Sequence, residues 1–121
     1  DDPLPNDLCR LMDRSKIYYG TIRSSQQRVA AISFDQVSRH LLPYRQIEEL
    51  GLNYSDAKYH VLAGDGTRLF LRHVRSLAKK LGYDLILEKG YLHSLDQSKV
   101  ADISQQLIDL IRNPVNHPKF R

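Results

Sequence analysis

The sequence predicts an α+β domain that is mostly helical and carries a small antiparallel sheet or hairpin. Apolar residues recur with helical spacing along 67–81, which predicts an amphipathic helix. The run 16–23, which is rich in β-branched and aromatic residues, is typical of a strand, and 28–33 could form a second strand after a turn. With 121 residues and 41% apolar content, the chain is long enough to bury one hydrophobic core, so we expect a single domain over 1–121.

The composition limits the classes of function. Eighteen lysines and arginines against fourteen acidic residues give a net charge of +4, which favours an anionic partner. The lone Cys9 excludes an intramolecular disulfide and a zinc site built from several thiolates. No apolar run approaches the length of a membrane span. We therefore expect an intracellular protein, in the cytoplasm or nucleus, with no membrane partner, no cofactor and no metal.

The first third of the chain predicts one helix followed by two strands. The helix begins at Asn6 or Asp7, either of which can cap it, and ends near Ser15. The second strand, 28–33, contains two alanines that weaken its β-propensity. A helix across 25–32 is therefore an alternative for that segment.

The middle of the chain carries helix boundary signals. Ser33 with Gln36 forms a capping-box pattern and predicts a helix that Pro43 breaks or restarts. The restarted helix is predicted to end at Gly51. Residues 56–62 fit a short helix capped by Ser55, but Tyr59–Leu62 could equally be a buried strand.

Glycines mark the predicted turns and the end of the predicted helix between residues 64 and 93. Gly64-Asp65-Gly66 predicts a tight turn just before the amphipathic helix, and Gly82 predicts its end. The runs Leu85–Glu88 and Tyr91–His93 lie on either side of Lys89-Gly90, which predicts a compact β-hairpin.

A last helix is predicted near the end of the chain. It begins at Asp96 or Ser98, carries apolar residues on one side, and ends at Asn113-Pro114. Residues 1–5 and 113–121 read as loose tails. Because the chain begins without methionine, we expect it to be part of a larger protein.

One side of the amphipathic helix is strongly cationic. Five of the eighteen cationic side chains fall within 68–80, and no acidic residue interrupts that segment. At about 100° per residue, four of them lie within roughly 60° of one another. We call this set the basic face: Arg68, Arg72, Arg75 and Lys79. A helix with an apolar back and a cationic front is suited to an anionic partner, of which nucleic acid is the commonest.

We therefore predict a nucleic-acid-binding domain, with DNA favoured over RNA, that holds the phosphate backbone. Lys80 on the same helix and Lys89 at the hairpin tip would support the basic face, and His73 flanks it. Four phosphate contacts predict a log–log salt slope of roughly −3.6 on duplex DNA. We assign no catalytic residue and expect no catalysis by this chain alone. A protein–protein adaptor that uses the same basic face is an alternative.

Two architectures fit the order of elements between 56 and 93. In a winged helix-turn-helix, 56–62 and 67–81 would be the two helices and 84–93 the wing. Neither Asn nor Gln, the usual readers of adenine, occurs in 67–81, which favours contacts to the backbone. A helix at 57–62 favours this module, whereas a strand there favours the second architecture.

The second architecture rests on a resemblance. The order of Gly66-Thr67, Arg75, Leu77-Ala78, Gly82, Leu85 and Gly90-Tyr91-Leu92 resembles that of the thumb of family-X DNA polymerases, although the hairpin here carries one extra residue. Downstream, Ser104-Gln-Gln-Leu-Ile108 is similar to a Ser-Glu-Glu-x-Ile helix of that family, and Pro118 and Arg121 match its Pro-rich, Arg-containing end. The likeness covers 57–121.

The sequence departs from that family at the positions that carry chemistry. The aromatic residue before the Gly-Ser turn is replaced by the run Leu62-Ala-Gly-Asp65, and the strand expected to bear a metal-binding carboxylate maps to Val29–Ile32, which has no Asp. The chain contains no Asp-x-Asp pair to hold two metal ions. The resemblance therefore implies a non-catalytic, nucleic-acid-holding lobe of a nucleotidyltransferase.

Overall fold

The computed structural model describes residues 16–21, 27–91 and 100–113. In chain order, the elements within these ranges are β1 (Ile17–Tyr19), β2 (Val29–Ile32), α1 (Phe34–Ser38), α2 (Leu42–Glu49), α3 (Ala57–Leu81), β3 (Leu85–Glu88), β4 (Ala101–Asp102) and α4 (Ser104–Arg112). The predicted α+β class, mostly helical with a small sheet, is confirmed. The predicted helix at 6–15, with Cys9, and the tails at 1–5 and 114–121 lie outside the described residues.

The four strands form one mixed sheet in the order β1-β3-β2-β4. β3 pairs antiparallel with β1, but it runs parallel to β2, with Val29 opposite Leu85. β4 is also parallel to β2, with Ala30 opposite Ala101. The sheet is therefore not purely antiparallel, because a helical crossover connects β2 to β3.

The predicted hairpin between 85–88 and 91–93 is wrong. β3 does form over Leu85–Glu88, but β1 occupies one of its edges and β2 the other. No edge is left for a strand that returns directly after Gly90. Tyr91 lies in a bend, and 92–93 lie outside the described residues.

The second predicted strand is confirmed, and the alternative helix is excluded for its paired residues. Ala30 and Ala31 are 0% and 3% exposed in the middle of the sheet. Ala30 lies in the core with Ile32 and Ile86, whereas Ala31, Leu85 and Leu87 alternate to the opposite face and are also buried. Burial on both faces explains why these strands are continuously apolar.

The two short helices begin as their sequences predict. Ser33 is the N-cap of α1, and its hydroxyl accepts from the Gln36 backbone N–H at 3.4 Å. Pro43 lies in the first turn of α2, where a missing N–H costs no helical hydrogen bond. The last residue of α2 is Glu49, Leu50 is its C-cap, and Gly51 follows with a left-handed φ of 62°, which agrees with the predicted end.

The 25 residues of α3 form one continuous helix of about 37 Å. The tight turn predicted at Gly64-Asp65-Gly66 is wrong, because these three residues lie inside the helix. Residues 57–62 are helical, the outcome associated with the winged module, but they belong to the same helix as 67–81. The two separate helices of a helix-turn-helix are therefore not formed.

The C-terminal end of α3 is closed by a glycine and an arginine. Gly82 has the left-handed φ of 77°, and its N–H donates to the Ala78 carbonyl at 2.8 Å. The Arg28 guanidinium donates to the Leu81 and Gly82 carbonyls at 3.0 and 3.2 Å, and it lies 4.7 Å from the centroid of the Tyr83 ring. These contacts satisfy carbonyls that the helix leaves unpaired.

The core lies between the sheet and the two longest helices of the described chain. α3 buries Phe70, Val74, Leu77 and Ala78, and α4 buries Leu107, Ile108 and Ile111. Phe70 meets the rings of Tyr18 and Phe34 edge-on, with centroids 4.8 Å apart in each pair. This packing fixes the orientation of α3 about its own axis.

The last helix begins later than predicted. Residues 101 and 102 pair with β2 as β4, and the Ile103 N–H donates to the Ala31 carbonyl at 3.0 Å, so α4 starts only at Ser104. Its predicted end is confirmed, since Arg112 is its last residue. None of the helices in the described part of the chain combines the length and apolar character that crossing a bilayer requires.

Candidate nucleic-acid interface

The basic face lies on the exposed side of α3. Arg72, Arg75 and Lys79 are exposed, whereas the residues on the opposite side of the helix are buried in the core. Because that packing prevents α3 from rotating, the three long side chains project together from one side. Lys80 on the same helix is exposed as well.

Arg68, the first member of the basic face, is partly neutralised. Its guanidinium pairs with the Asp65 carboxylate one turn earlier on α3. Both side chains are well exposed, so this pair contributes little to stability. It does place an anion at this end of the basic face, where the sequence predicted a turn residue.

The other cations of the basic face have no such partner. Within 16–21, 27–91 and 100–113, Arg72, Arg75 and Lys79 form no ion pair, and the same holds for Lys80. An exposed cation that no carboxylate of the protein engages keeps its charge available to an external anion.

Two of the predicted supporting residues are placed differently from the expectation. Lys89 lies just after β3 rather than at a hairpin tip, and its ammonium pairs with the Asp102 carboxylate at 2.9 Å. His73 was expected beside the exposed cations, but it is only 7% exposed and faces the core side of α3. That placement is wrong because residue 73 falls about 140° round the helix from Arg68.

A second cationic feature adjoins the basic face. A cavity of about 610 Å³ lies where α2, α3 and α4 meet, and Arg72 is one of its lining residues. We call it the arginine cavity. Its lining residues are His40, Leu41, Leu42, Pro43, Arg45, Asp65, Arg68, Leu69, Arg72, Ile111 and Arg112.

The residues that line the arginine cavity carry mostly positive charge. Four arginines against one aspartate leave a net formal charge of +3. Asp65 pairs with Arg68, while Arg45, Arg72 and Arg112 form no ion pair with any residue that the structure describes. The remaining lining is mainly aliphatic and includes the core residues Leu41 and Ile111.

A polar network lies at the carboxyl ends of the parallel strands, the edge at which α/β sheets commonly bind ligands. The Ser104 hydroxyl accepts from the Ser33 N–H at 2.9 Å and donates to Asp102 Oδ1 at 2.7 Å. Glu88 Oε1 accepts from the Tyr18 hydroxyl at 2.7 Å and from the Phe34 N–H at 3.0 Å. These groups satisfy one another, which is the pattern of a structural network.

The network shifts the pKa values of two of its groups, the Tyr18 hydroxyl and the Asp102 carboxyl. Burial, followed by the hydrogen bond to Glu88, raises the pKa of the Tyr18 hydroxyl. Burial alone would raise the pKa of the Asp102 carboxyl, but hydrogen bonds from Ser104 and Lys89 outweigh it and lower that pKa below its usual 3.8. Both shifts favour the protonation states that the hydrogen bonds require.

Two of the four arginines that line the arginine cavity were not among the site residues predicted from the sequence. Arg45 lies on α2 and Arg112 on α4, so they are far from the basic face along the chain. Neither belongs to a cationic cluster in the sequence, and only the packing of α2 and α4 beside α3 brings them together. The one usable signal is Arg112 in the last turn of α4, where cations favour the helix C-terminus.

Comparison with protein-family models, with curated proteins and with solved structures found no match.

Proposed function

We propose that this protein binds nucleic acid through the basic face of α3 and holds the phosphate backbone. The observation that carries the proposal is the state of Arg72, Arg75 and Lys79. They are exposed on one side of a helix whose other side is packed into the core, and no carboxylate of the described chain pairs with them. Charges that are fixed in position and left uncompensated attract a polyanion.

The chemistry of these three side chains favours backbone contacts over base reading. Arginine forms forked hydrogen bonds with phosphate, and lysine acts as a mobile point charge. Their spacing along one helix edge suits successive phosphates, and α3 offers no exposed Asn or Gln for adenine. We therefore expect affinity that depends on salt and hardly on sequence.

The pairing of Arg68 with Asp65 changes the expected magnitude. Three uncompensated cations, rather than four, predict a log–log salt slope of about −2.7 on duplex DNA. Affinity should then fall about 40-fold between 50 and 200 mM salt.

The test is a fluorescence titration of duplex DNA, single-stranded DNA and RNA of one sequence at two salt concentrations. The variant Arg75→Ala/Lys79→Ala removes two cations of the basic face without touching the lining of the arginine cavity. Affinity should fall roughly 60-fold at 0.1 M salt, because each lost contact removes about 0.9 from the salt slope. The ranking of the three nucleic acids identifies the preferred form.

A matched control removes the same charge elsewhere. Lys16 and Lys58 are exposed and lie outside the basic face, so Lys16→Ala/Lys58→Ala lowers the net charge by the same amount. This variant should keep most of the wild-type affinity. Absence of binding to all three nucleic acids, or equal losses in the two double variants, would overturn the proposal.

A further inference from the structure

We propose that the arginine cavity binds a nucleoside monophosphate unit, either as a free nucleotide or as the phosphorylated end of a nucleic-acid strand. The second form rests on the proposed function of the basic face, whereas the first does not.

The charge of the cavity fits a phosphate monoester. Arg45, Arg72 and Arg112 reach one cavity from three helices and have no carboxylate partner in the described chain. A terminal phosphate carries about −1.5 to −2 charges at pH 7, whereas a phosphodiester within a strand carries about −1. A net charge of +3 concentrated in one recess therefore favours the terminal phosphate over an internal one.

The volume and the aliphatic lining of the cavity fit the sugar and base of a nucleotide. Its volume of about 610 Å³ lies within the range of roughly 300–1,000 Å³ typical of small-molecule sites. A phosphate alone would leave most of that space empty. Leu42, Pro43 and Leu69 line the recess and are at least partly exposed, so they give it an aliphatic surface against which a base can pack, and guanidinium planes can stack on the faces of the base.

The position of the cavity connects it to the basic face. Arg72 lines the cavity and also belongs to the basic face, and Arg75 and Lys79 continue along α3 away from it. A strand whose phosphates follow α3 from Lys79 toward Arg72 reaches the cavity at its end. The two features thus form one continuous path for a polyanion.

The test compares ligands that differ in one group. Adenosine 5′-monophosphate and inorganic phosphate are titrated against the wild-type protein, and so are single strands of about 12 nucleotides with or without a phosphate at either end. The variant Arg45→Ala/Arg112→Ala removes two exposed cavity arginines that lie outside the basic face. Lys16→Ala/Lys58→Ala is again the control of equal charge.

We expect the mononucleotide to bind more tightly than inorganic phosphate, because only the mononucleotide uses the aliphatic lining. Arg45→Ala/Arg112→Ala should weaken mononucleotide binding about tenfold or more, and the control should not. A terminal phosphate should raise strand affinity about tenfold, and this gain should be lost in Arg45→Ala/Arg112→Ala but kept in Arg75→Ala/Lys79→Ala.

The outcomes separate this inference from the proposed function. Mononucleotide binding that needs Arg45 and Arg112, without any strand binding, supports the free nucleotide as ligand while the proposed function fails. The cavity proposal is overturned if a terminal phosphate does not change strand affinity and the mononucleotide binds no more tightly than inorganic phosphate. Strand binding of this kind would still support the proposed function of the basic face. Equal mononucleotide affinity in wild type and Arg45→Ala/Arg112→Ala also overturns it.

Discussion

Ser104 joins the first residues of α4 to the carboxyl end of β2. Ser104 is only 3% exposed. Its hydroxyl accepts a hydrogen bond from the Ser33 N–H and donates one to the Asp102 carboxylate. The Ser104 hydroxyl is the acceptor of the Ser33 N–H, whereas the exposed Asp102 carboxylate also accepts from the Ser104 N–H and pairs with Lys89. A single small side chain therefore satisfies polar groups from two elements.

Replacing Ser104 with alanine should lower the free energy of unfolding by about 1–3 kcal/mol, because the partly buried Ser33 N–H loses its acceptor. Urea unfolding followed by circular dichroism measures the change. Ser76→Ala on the exposed side of α3 is the control, with an expected change within about 0.5 kcal/mol. Equal effects of the two substitutions would contradict the structural role of the Ser104 hydroxyl.

Asp102 predicts how stability depends on pH. Hydrogen bonds from Ser104 and Lys89 lower its folded pKa below 3.8, despite the opposing effect of burial. The ionised carboxylate therefore stabilises the fold above pH 3.8, and this contribution is lost as the pH falls through the lower, folded pKa. In Asp102→Asn the free energy of unfolding should depend less steeply on pH below about 4.

Lys89→Ala supplies a graded comparison, because it removes one of the groups that stabilise the carboxylate. Its acid profile should lie between those of the wild type and Asp102→Asn. Superimposable profiles for all three proteins between pH 2 and 6 would show that the Asp102 carboxylate is not stabilised in the fold.

At the scale of the elements, the packing of α3 against α2 requires a close approach of the two helices. Gly66 is buried in the middle of α3, and a Cβ there would lie 2.5 Å from the Tyr44 ring. The Tyr44 hydroxyl in turn lies 2.6 Å from Thr67 Oγ1 and donates to the Ala63 carbonyl at 3.3 Å. The ring is thus held against the helix at a position that has no side chain.

Gly66→Ala should destabilise the protein, although alanine is the better helix former by about 1 kcal/mol. Moving the Tyr44 ring would disturb its edge-on contact with Phe34 and its hydroxyl contacts with Thr67 and Ala63, and overpacking of this kind costs about 1–3 kcal/mol. Gly64→Ala is the matched control two residues earlier. A Cβ at Gly64 meets nothing closer than the flexible Arg68 guanidinium at 3.5 Å, so thermal unfolding should show no loss or a small gain. A gain of stability in both variants would contradict the packing described.

The same glycines show what sequence patterns could and could not predict. Two glycines around Asp65 are typical of a turn, but Gly66 meets a packing requirement from Tyr44, a residue 22 positions away. Sequence patterns predicted the structure correctly where residues close in the chain determine it, as at the helix boundaries marked by Ser33, Pro43 and Gly82. They failed at 91–93, because the edges of β3 are occupied by strands distant in the sequence.

For the molecule as a whole, the candidate sites were predicted in part. The basic face follows from helical periodicity, so its residues could be named from the sequence. The ion pairs of Arg68 and Lys89 and the burial of His73 required the structure. The arginine cavity depends on how three helices meet, and no local pattern relates Arg45 or Arg112 to Arg72. Its detection required the tertiary structure.

The salt dependence of duplex DNA binding by the wild type and by Arg75→Ala/Lys79→Ala tests the central claim most directly. If the basic face neutralises phosphates, the two log–log slopes should differ by about 1.8, and Lys16→Ala/Lys58→Ala should keep the wild-type slope. The same slope for the wild type and for Arg75→Ala/Lys79→Ala would mean that these side chains do not contact the DNA backbone.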